Sequence, residues 1–294
     1  MESKKNITVF GATGKIGREL VKFLLQANVE VIAITRDKNK ATTMPHVEWM
    51  EADMANKESL YDTMKDSRSV FLLSGQGPNL VEEQNNVIQA AKTAGVKHIV
   101  KLSSGAVDEN SPFYIPGMFF AKVHADVEAL LKASDIPYTM LQPNGFMQNW
   151  LGELSQTVKQ ERKIYDAAGD GKRAYLDIRD IAETAFRILT EPKCHINKTY
   201  LLTGGEALNY TEIAKLVSNV IGEKVTFIPL SSDEAHQLME QRGVPLIAIK
   251  TLLAYSEAQR NGKASFVSNT VPEILHKPAR TVEAFIKDHA DWFK

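Results

Sequence analysis

Seven residues near the start of the chain, GATGKIG at 11–17, carry three glycines at a spacing that suits a backbone cradle for a diphosphate. They follow an apolar run at 7–10 and open a stretch in which Ile16, Leu20, Val21, Leu24 and Leu25 share one side. Strand, turn and amphipathic helix therefore come in the order this motif needs. Gly11 permits the sharp turn, Gly14 lets backbone approach an anion, and Gly17 lets the helix pack close to the strand. The helix start then aims its N–H groups and the positive end of its dipole at that anion. Lys15 suggests a P-loop, but that motif needs four residues between its glycines and Ser or Thr after the lysine, whereas Ile16 follows here. The pattern predicts a dinucleotide held by Gly11, Thr13, Gly14, Lys15, Ile16 and Gly17.

The ends of later strands refine that expectation. VEVIAITRDKNK at 29–40 ends its apolar part at Thr35, Arg36 and Asp37. At this place an acid binds the adenosine ribose hydroxyls, and an arginine pairs with a 2′-phosphate. Arg36 comes first and Thr35 stands where an acid would, so NADP(H) is favoured over NAD(H). The alternative keeps Asp37 as ribose ligand and Arg36 as a surface charge. VEWMEADM at 47–54 puts Asp53 where a carboxylate can accept from an adenine amino group and Met54 where it can cover the ring. Asp53 also fits a helix cap. FLLSGQGP at 71–78 bends at Ser74, Gly75 and Gln76, small enough for a ribose to approach, although any glycine-rich turn would look alike.

These residues need a scaffold that aligns strand ends. Strand-like runs at 7–10, 29–35, 47–50, 69–73, 98–102 and 138–141 alternate with helical patterns at 15–26, 56–65, 79–94 and 119–133. That alternation predicts an α/β fold, a Rossmann-like doubly wound parallel sheet with helices on both faces. Residues 1–150 read as the nucleotide-binding domain, with a return near 174–204. Residues 151–294 read mainly as an interleaved α/β substrate cap. There a strand is expected at 199–202, a helix at 212–221, a strand at 224–228, and helices near 232–241, 245–260 and 281–289. LDIRDIAETAFRIL at 176–189 reads as a helix entered through Asp177 or Asp180.

Composition narrows the function classes. The 35 Lys and Arg balance 36 Asp and Glu, so no basic nucleic-acid surface is expected. A single cysteine, Cys194, excludes an intrachain disulfide and a cysteine metal cluster, and beside His195 it reads as a loop thiol. The seven histidines are scattered without an HExxH pattern, so no metal is expected, and no GxSxG elbow occurs. No apolar stretch has the length of a membrane span and MESKKN has no signal-peptide core, so a cytoplasmic protein without membrane contact is expected. No repeat or long heptad seam appears, which leaves monomer and homodimer both open.

GATGKIG, ITRD, the Asp53 strand end, HIVKLSS at 98–104 and ALLKASDIPYTMLQPNGFMQN at 129–149 resemble the NmrA-like group of atypical short-chain dehydrogenases/reductases. LDIRDIA at 176–182 looks like a late helix of that group. The group holds NADPH-dependent quinone reductases, triphenylmethane-dye and azo-dye reductases, isoflavone-type reductases, and redox sensors that bind cofactor without turnover. The resemblance places Ser103 or Ser104 near the nicotinamide after the fifth strand. It places Pro143, Asn144 and Phe146 against it after the sixth. Phe146 and Trp150 also fit plain core packing.

Typical short-chain dehydrogenases use a tyrosine proton donor and a lysine four residues on. Aligned on IPYT, MFFAKVHADVEALL at 118–131 puts Phe120 at the tyrosine and His124 at the lysine. Tyr114 has Met118 four residues on, and Lys122 is out of phase by about half a turn. Phenylalanine cannot donate a proton, which argues against ordinary carbonyl or alcohol chemistry. Quinones, azo compounds and cationic dyes accept hydride without it. His124, which can supply a proton or hold the nicotinamide ribose, and Ser104 are the candidate catalytic groups, while a helical residue bonded to a neighbour is the bland alternative for His124. The expected function is an NADPH-dependent reductase of a conjugated small-molecule electrophile. The alternatives are a cofactor sensor with a protein partner and little turnover, and a sugar-nucleotide epimerase that would need Tyr114.

Overall fold

The computed structural model describes residues 6–294, and the charged start MESKK lies outside them. Its strands are β1 (Asn6–Val9), β2 (Val31–Thr35), β3 (Val47–Glu51), β4 (Ser67–Leu72), β5 (His98–Leu102), β6 (Tyr138–Pro143), β7 (Lys163–Asp166), β8 (Lys198–Leu202) and β9 (Thr226–Pro229). The first helices are α1 (Lys15–Gln26), α2 (Leu80–Ala94), α3 (Phe119–Lys132), α4 (Glu153–Glu161), α5 (Ile178–Thr190) and α6 (Tyr210–Ile221). Then come α7 (Ser232–Gln241), α8 (Leu246–Arg260), α9 (Thr270–Leu275), α10 (Val282–Asp288) and α11 (Ala290–Phe293).

Seven strands form one sheet in the order β3-β2-β1-β4-β5-β6-β8, and every pairing from β3 through β6 is parallel. Strands covered on both faces are mostly apolar, and β2 and β5 are buried at every position, His98 and Lys101 of β5 included. The edge strand β3 is only partly covered and carries two glutamates. The chain runs outward from β1 to β3, then crosses back to β4 on the other side of β1. This reversal of strand order between β1 and β4 is the switch point of a Rossmann-like α/β fold, where loops diverge and leave room for a ligand.

Helix sequences fix how the sheet is covered. α1 buries Ile16, Leu20, Val21 and Leu24 at helical spacing and packs on α5, with Phe23 stacked on Phe186 at 6.2 Å. α2 packs on α3, and Val87, Ile88, Ala91, Val123, Val127 and Leu131 join strand residues Ile32, Val70, Ile99 and Met140 in one core cluster. Each of the valine, leucine, isoleucine and methionine side chains contributes about 1.5–3 kcal/mol on burial.

Segment 56–65 departs from the expected helix. Only a single 3₁₀ turn, Lys57–Ser59, forms there, capped by the Asn56 side chain. The Thr63 carbonyl, which a helix would offer to a later N–H, instead accepts from Thr8 Oγ1 of β1 at 2.9 Å, and the Thr8 and Ser67 hydroxyls meet at 2.5 Å. These contacts tie the segment to the sheet while Leu60 and Met64 fill the core. Elsewhere the expected elements appear with boundaries moved by a few residues.

Two compact units divide the chain. Among the described residues, one holds 6–107, Phe119–Pro143 and Ile178–Leu201; the other is Asp108–Met118, Asn144–Asp177 and Leu202–Lys294. The second contains the parallel pair β7 and β9 and a core of its own around Trp150, Tyr175, Ile213, Val217 and Phe285. α4, β7, α9 and α11 have no counterpart among the elements expected from sequence. Among the described residues, no helix is long and apolar enough to cross a membrane.

Candidate active site

The glycine loop closes through its own backbone. Gly11 sits at φ +73, where a side chain is strained, and a Cβ there would lie 2.8 Å from the Leu73 carbonyl oxygen of the loop after β4. A Cβ on Gly17 would lie 2.1 Å from the Gly11 oxygen, so the first turn of α1 touches the loop directly. Gly14 caps α1, its N–H donating to the Gly11 carbonyl at 2.9 Å. No side chain caps this helix and no acidic residue stands in its first turn. That is the surrounding an anion needs at a helix start. Thr13 is half-buried, Gly14 and Lys15 are exposed, and Ile16 is buried in the core.

The next two strand ends continue from this loop. Arg36 is exposed just after β2. Thr35 is buried and turns its hydroxyl back, donating to the Asp37 carbonyl at 2.9 Å, while the Asp37 carboxylate accepts from the Asn39 N–H and caps a 3₁₀ turn. Asp53 is exposed, and its Oδ1 accepts from the Ala55 N–H at 2.9 Å. The cap at this corner belongs to Asn56, three residues later than Asp53. Met54 packs on the core cluster, and its carbonyl accepts from Asn86 Nδ2 at 2.9 Å. Ser74 Oγ accepts from Gln84 Nε2 at 2.9 Å, and Gly75 beside it is exposed with nothing within 4 Å of a notional Cβ.

Between β5 and α3 lies a buried polar network. Lys101, on β5, donates from Nζ to His124 Nδ1 at 3.1 Å and to the Leu102 carbonyl at 3.1 Å. The Gln76 amide faces His124 Nε2 at 3.1 Å. Burial, and then the Lys101 charge, hold His124 down at about 3, so the imidazole is neutral at physiological pH. Burial lowers Lys101 to about 7, opposed by the Glu128 carboxylate. Ser103 is turned inward, its hydroxyl donating to Glu128 Oε1 at 2.5 Å, and Gln142 Nε2 donates to the same oxygen at 2.9 Å. Ser104 is half-buried and accepts from the Ala106 N–H at 3.3 Å. Pro143 ends β6 and accepts from the Gly105 N–H at 3.0 Å.

Phe120 is half-buried and packs on the core cluster, and Lys122 is exposed and paired with Asp126 at 2.6 Å. Neither offers a proton beside His124. Lys101 and Glu128 carry no role in the sequence analysis, and Gln76 enters it only as part of the bend after β4. The overlooked signal was a lysine beside Ile99, Val100 and Leu102 in HIVKL, a fully buried strand of a parallel sheet.

The remaining candidates belong to the second unit. Asn144 donates from its N–H to the Leu202 carbonyl at 3.0 Å and from Nδ2 to the Ala264 carbonyl at 3.4 Å. Phe146 is half-buried and bridges to Leu176. Trp150 lies in that unit's core, edge-on to Tyr175 at 4.7 Å and to Phe285 at 5.8 Å, so the packing alternative describes it. Tyr114 is half-buried in the same unit. In the first unit, Cys194 is exposed, and His195 Nδ1 meets the Tyr200 hydroxyl at 2.8 Å rather than the thiol. Among the described residues, no group of three or more His, Cys, Asp or Glu could hold a metal ion.

A dinucleotide fits this donor set. Two cradle positions would be filled by any Cβ, the α1 start is uncapped by side chains, and both lie beside the reversal of strand order. Fold and loop together define a doubly wound nucleotide-binding protein. The NmrA-like family model matches residues 3–286, and the chain belongs to that family. It is 33% identical over 290 residues to an NAD(P)H azoreductase of Xenophilus azovorans, spanning 98% of this chain and 99% of the relative. It is similar in structure to a Citrobacter sp. triphenylmethane reductase complexed with NADP(H), with TM-score 0.84, 29% identity and coverage of 96% and 99%. It is also similar to the Escherichia coli NADPH-dependent quinone oxidoreductase QOR2 complexed with NADPH, with TM-score 0.87, 26% identity and coverage of 97% and 99%.

Proposed function

We propose that this protein is an NADPH-dependent reductase that delivers hydride to a quinone-like, azo or other conjugated electrophilic small molecule. The observation that carries the reading is a glycine cradle suited to a dinucleotide together with a buried neutral histidine, His124; aligned on IPYT, the sequence has Phe120 in register with the usual proton-donating tyrosine. The azoreductase, triphenylmethane reductase and quinone oxidoreductase relatives support it.

In this reading Gly11, Thr13, Gly14, Lys15, Ile16 and Gly17 hold the diphosphate. Arg36 pairs with the 2′-phosphate, Asp53 and Met54 meet the adenine, and Ser74 and Gly75 border a ribose. Ser104, Pro143, Asn144 and Phe146 serve the nicotinamide end. Ser103 acts indirectly, by holding Glu128 in place. When bound, the nicotinamide supplies the hydride. The protein positions the planar partners, keeps water out and provides a proton from His124 Nε2.

The test is an acceptor panel of quinones, azo dyes and cationic triphenylmethane dyes, offered anaerobically with NADPH or NADH. Cofactor oxidation with at least one class, faster with NADPH, is expected. Tight binding without oxidation across the panel would replace the reductase with a cofactor sensor. Equal use of both cofactors would remove Arg36 from its role.

A further inference from the structure

Lys101 has no exposed surface, yet an ammonium in the middle of a parallel sheet gives up its hydration. A purely structural lysine in this position would be expected on a carboxylate. The Glu128 carboxylate is the charged group that faces Lys101 from α3. It already accepts from Ser103 and Gln142, and Lys132 Nζ lies 3.7 Å from its other oxygen. From the neighbouring strands, Leu72 of β4 and Met140 of β6 stand opposite Lys101 in register, and neither titrates. Lys101 points its Nζ at His124 instead.

That bond has a direction. An ammonium only donates, so His124 Nδ1 accepts and the ring proton sits on Nε2. Nε2 faces Gln76, whose amide must then turn its oxygen toward the ring, an assignment the heavy atoms alone leave open. Gln76 is exposed and stands between Gly75 and Gly77, so its side chain can leave Nε2 for solvent.

Resting on the reductase reading above, we propose that Lys101 is a positioning residue and proton reserve for His124. The Nζ–H···Nδ1 bond fixes the Nε2–H form, and as Nε2 gives its proton to the reduced acceptor, Nζ passes one to Nδ1. One N–H bond breaks and one forms at the imidazole, which stays neutral. Lys101 changes from ammonium to amine, the acceptor gains one proton, and no electrons move in this step. Solvent then restores the ammonium through His124. A neutral imidazole is a poor acid by itself, and the coupled lysine removes that obstacle. With Lys101 near 7, the ammonium gives up its proton at little cost around neutral pH.

Nitrogen-15 NMR of His124 in the cofactor-free wild type tests the first half. The expected signature is Nε2–H with an accepting Nδ1, shifting as Lys101 titrates near neutrality. In Lys101→Met the two tautomers should mix. An Nδ1–H signature in the wild type would overturn the proposal. The pH profile tests the second half. Wild-type kcat should fall as pH rises through about 7, while Lys101→Met should lose that limb and about 10- to 100-fold in kcat with KM little changed. An unchanged profile in that variant would overturn the reserve. If the wild type oxidises no NADPH with any acceptor, the reductase reading fails, and the NMR result still decides whether Lys101 sets the His124 tautomer.

Discussion

Arg36 and His124 carry two roles assigned to single side chains: Arg36 is exposed and can be removed without touching the core, whereas His124 is buried and its removal leaves Lys101 Nζ only the Leu102 carbonyl. An arginine–phosphate pair contributes about 1.5–3 kcal/mol. Arg36→Ala is therefore expected to weaken NADPH about 10- to 100-fold by calorimetry and to leave NADH affinity near its starting value. Equal losses for the two cofactors would place Arg36 elsewhere. His124→Ala should lower kcat about 100-fold and change NADPH affinity little, since the role given to it lies in proton transfer. Both residues were legible from their place after β2 and from the register with IPYT. Lys101 was not, because strand burial shows only once the sheet order is known. Ser103 was assigned to the cofactor end by its position after β5. Its inward turn onto Glu128, 25 residues away in sequence, follows from the approach of α3 to β5, which no local spacing announces.

The strand–loop–helix unit β1–α1 is the element on which cofactor binding depends. Alanine in a helix is favoured over glycine by about 1 kcal/mol. At Gly17, however, a Cβ would lie 2.1 Å from a backbone oxygen, which cannot swing away as a side chain can. The clash outweighs the propensity, so Gly17→Ala should lose NADPH binding at least about tenfold in a calorimetric titration. Retained affinity would show that the loop yields. Alternating apolar runs and amphipathic patterns made most of the sheet and its helices readable. Segment 56–65 misled because its backbone closes mostly short three-residue turns, such as the Thr63 N–H to the Leu60 carbonyl at 3.2 Å, while the Thr63 carbonyl accepts from Thr8 of β1. β7 was missed because KIYD is too short to show a period, and its register comes from pairing with the distant β9.

The whole molecule should feel acid through its buried bases. Burial holds His98 at about 4, against an ordinary 6.5, and its Nδ1 is buried without a partner. The folded chain thus takes up protons later than the unfolded chain as pH falls. Stability from this group is complete above about 6.5 and is lost as pH drops toward 4, with His124 contributing in the same direction. The His98 share is on the order of 3 kcal/mol, a large part of the 5–15 kcal/mol that holds a typical domain. Lys101, lowered from 10.5 to about 7, gives a slope of the same sign above neutrality. Guanidinium midpoints measured across pH should therefore rise between pH 4 and 6.5, less steeply in His98→Gln. Lys101→Met should flatten the slope above pH 7, and unchanged slopes in both variants would contradict the burial argument.

Hydride transfer itself can be followed with NADPH deuterated on one face of nicotinamide C4, using the fastest acceptor of the panel. The reductase account predicts that one face alone loses its label to the acceptor and that turnover slows when that face carries deuterium. Cofactor that binds this protein and returns with its label untouched, whatever the acceptor, would contradict it.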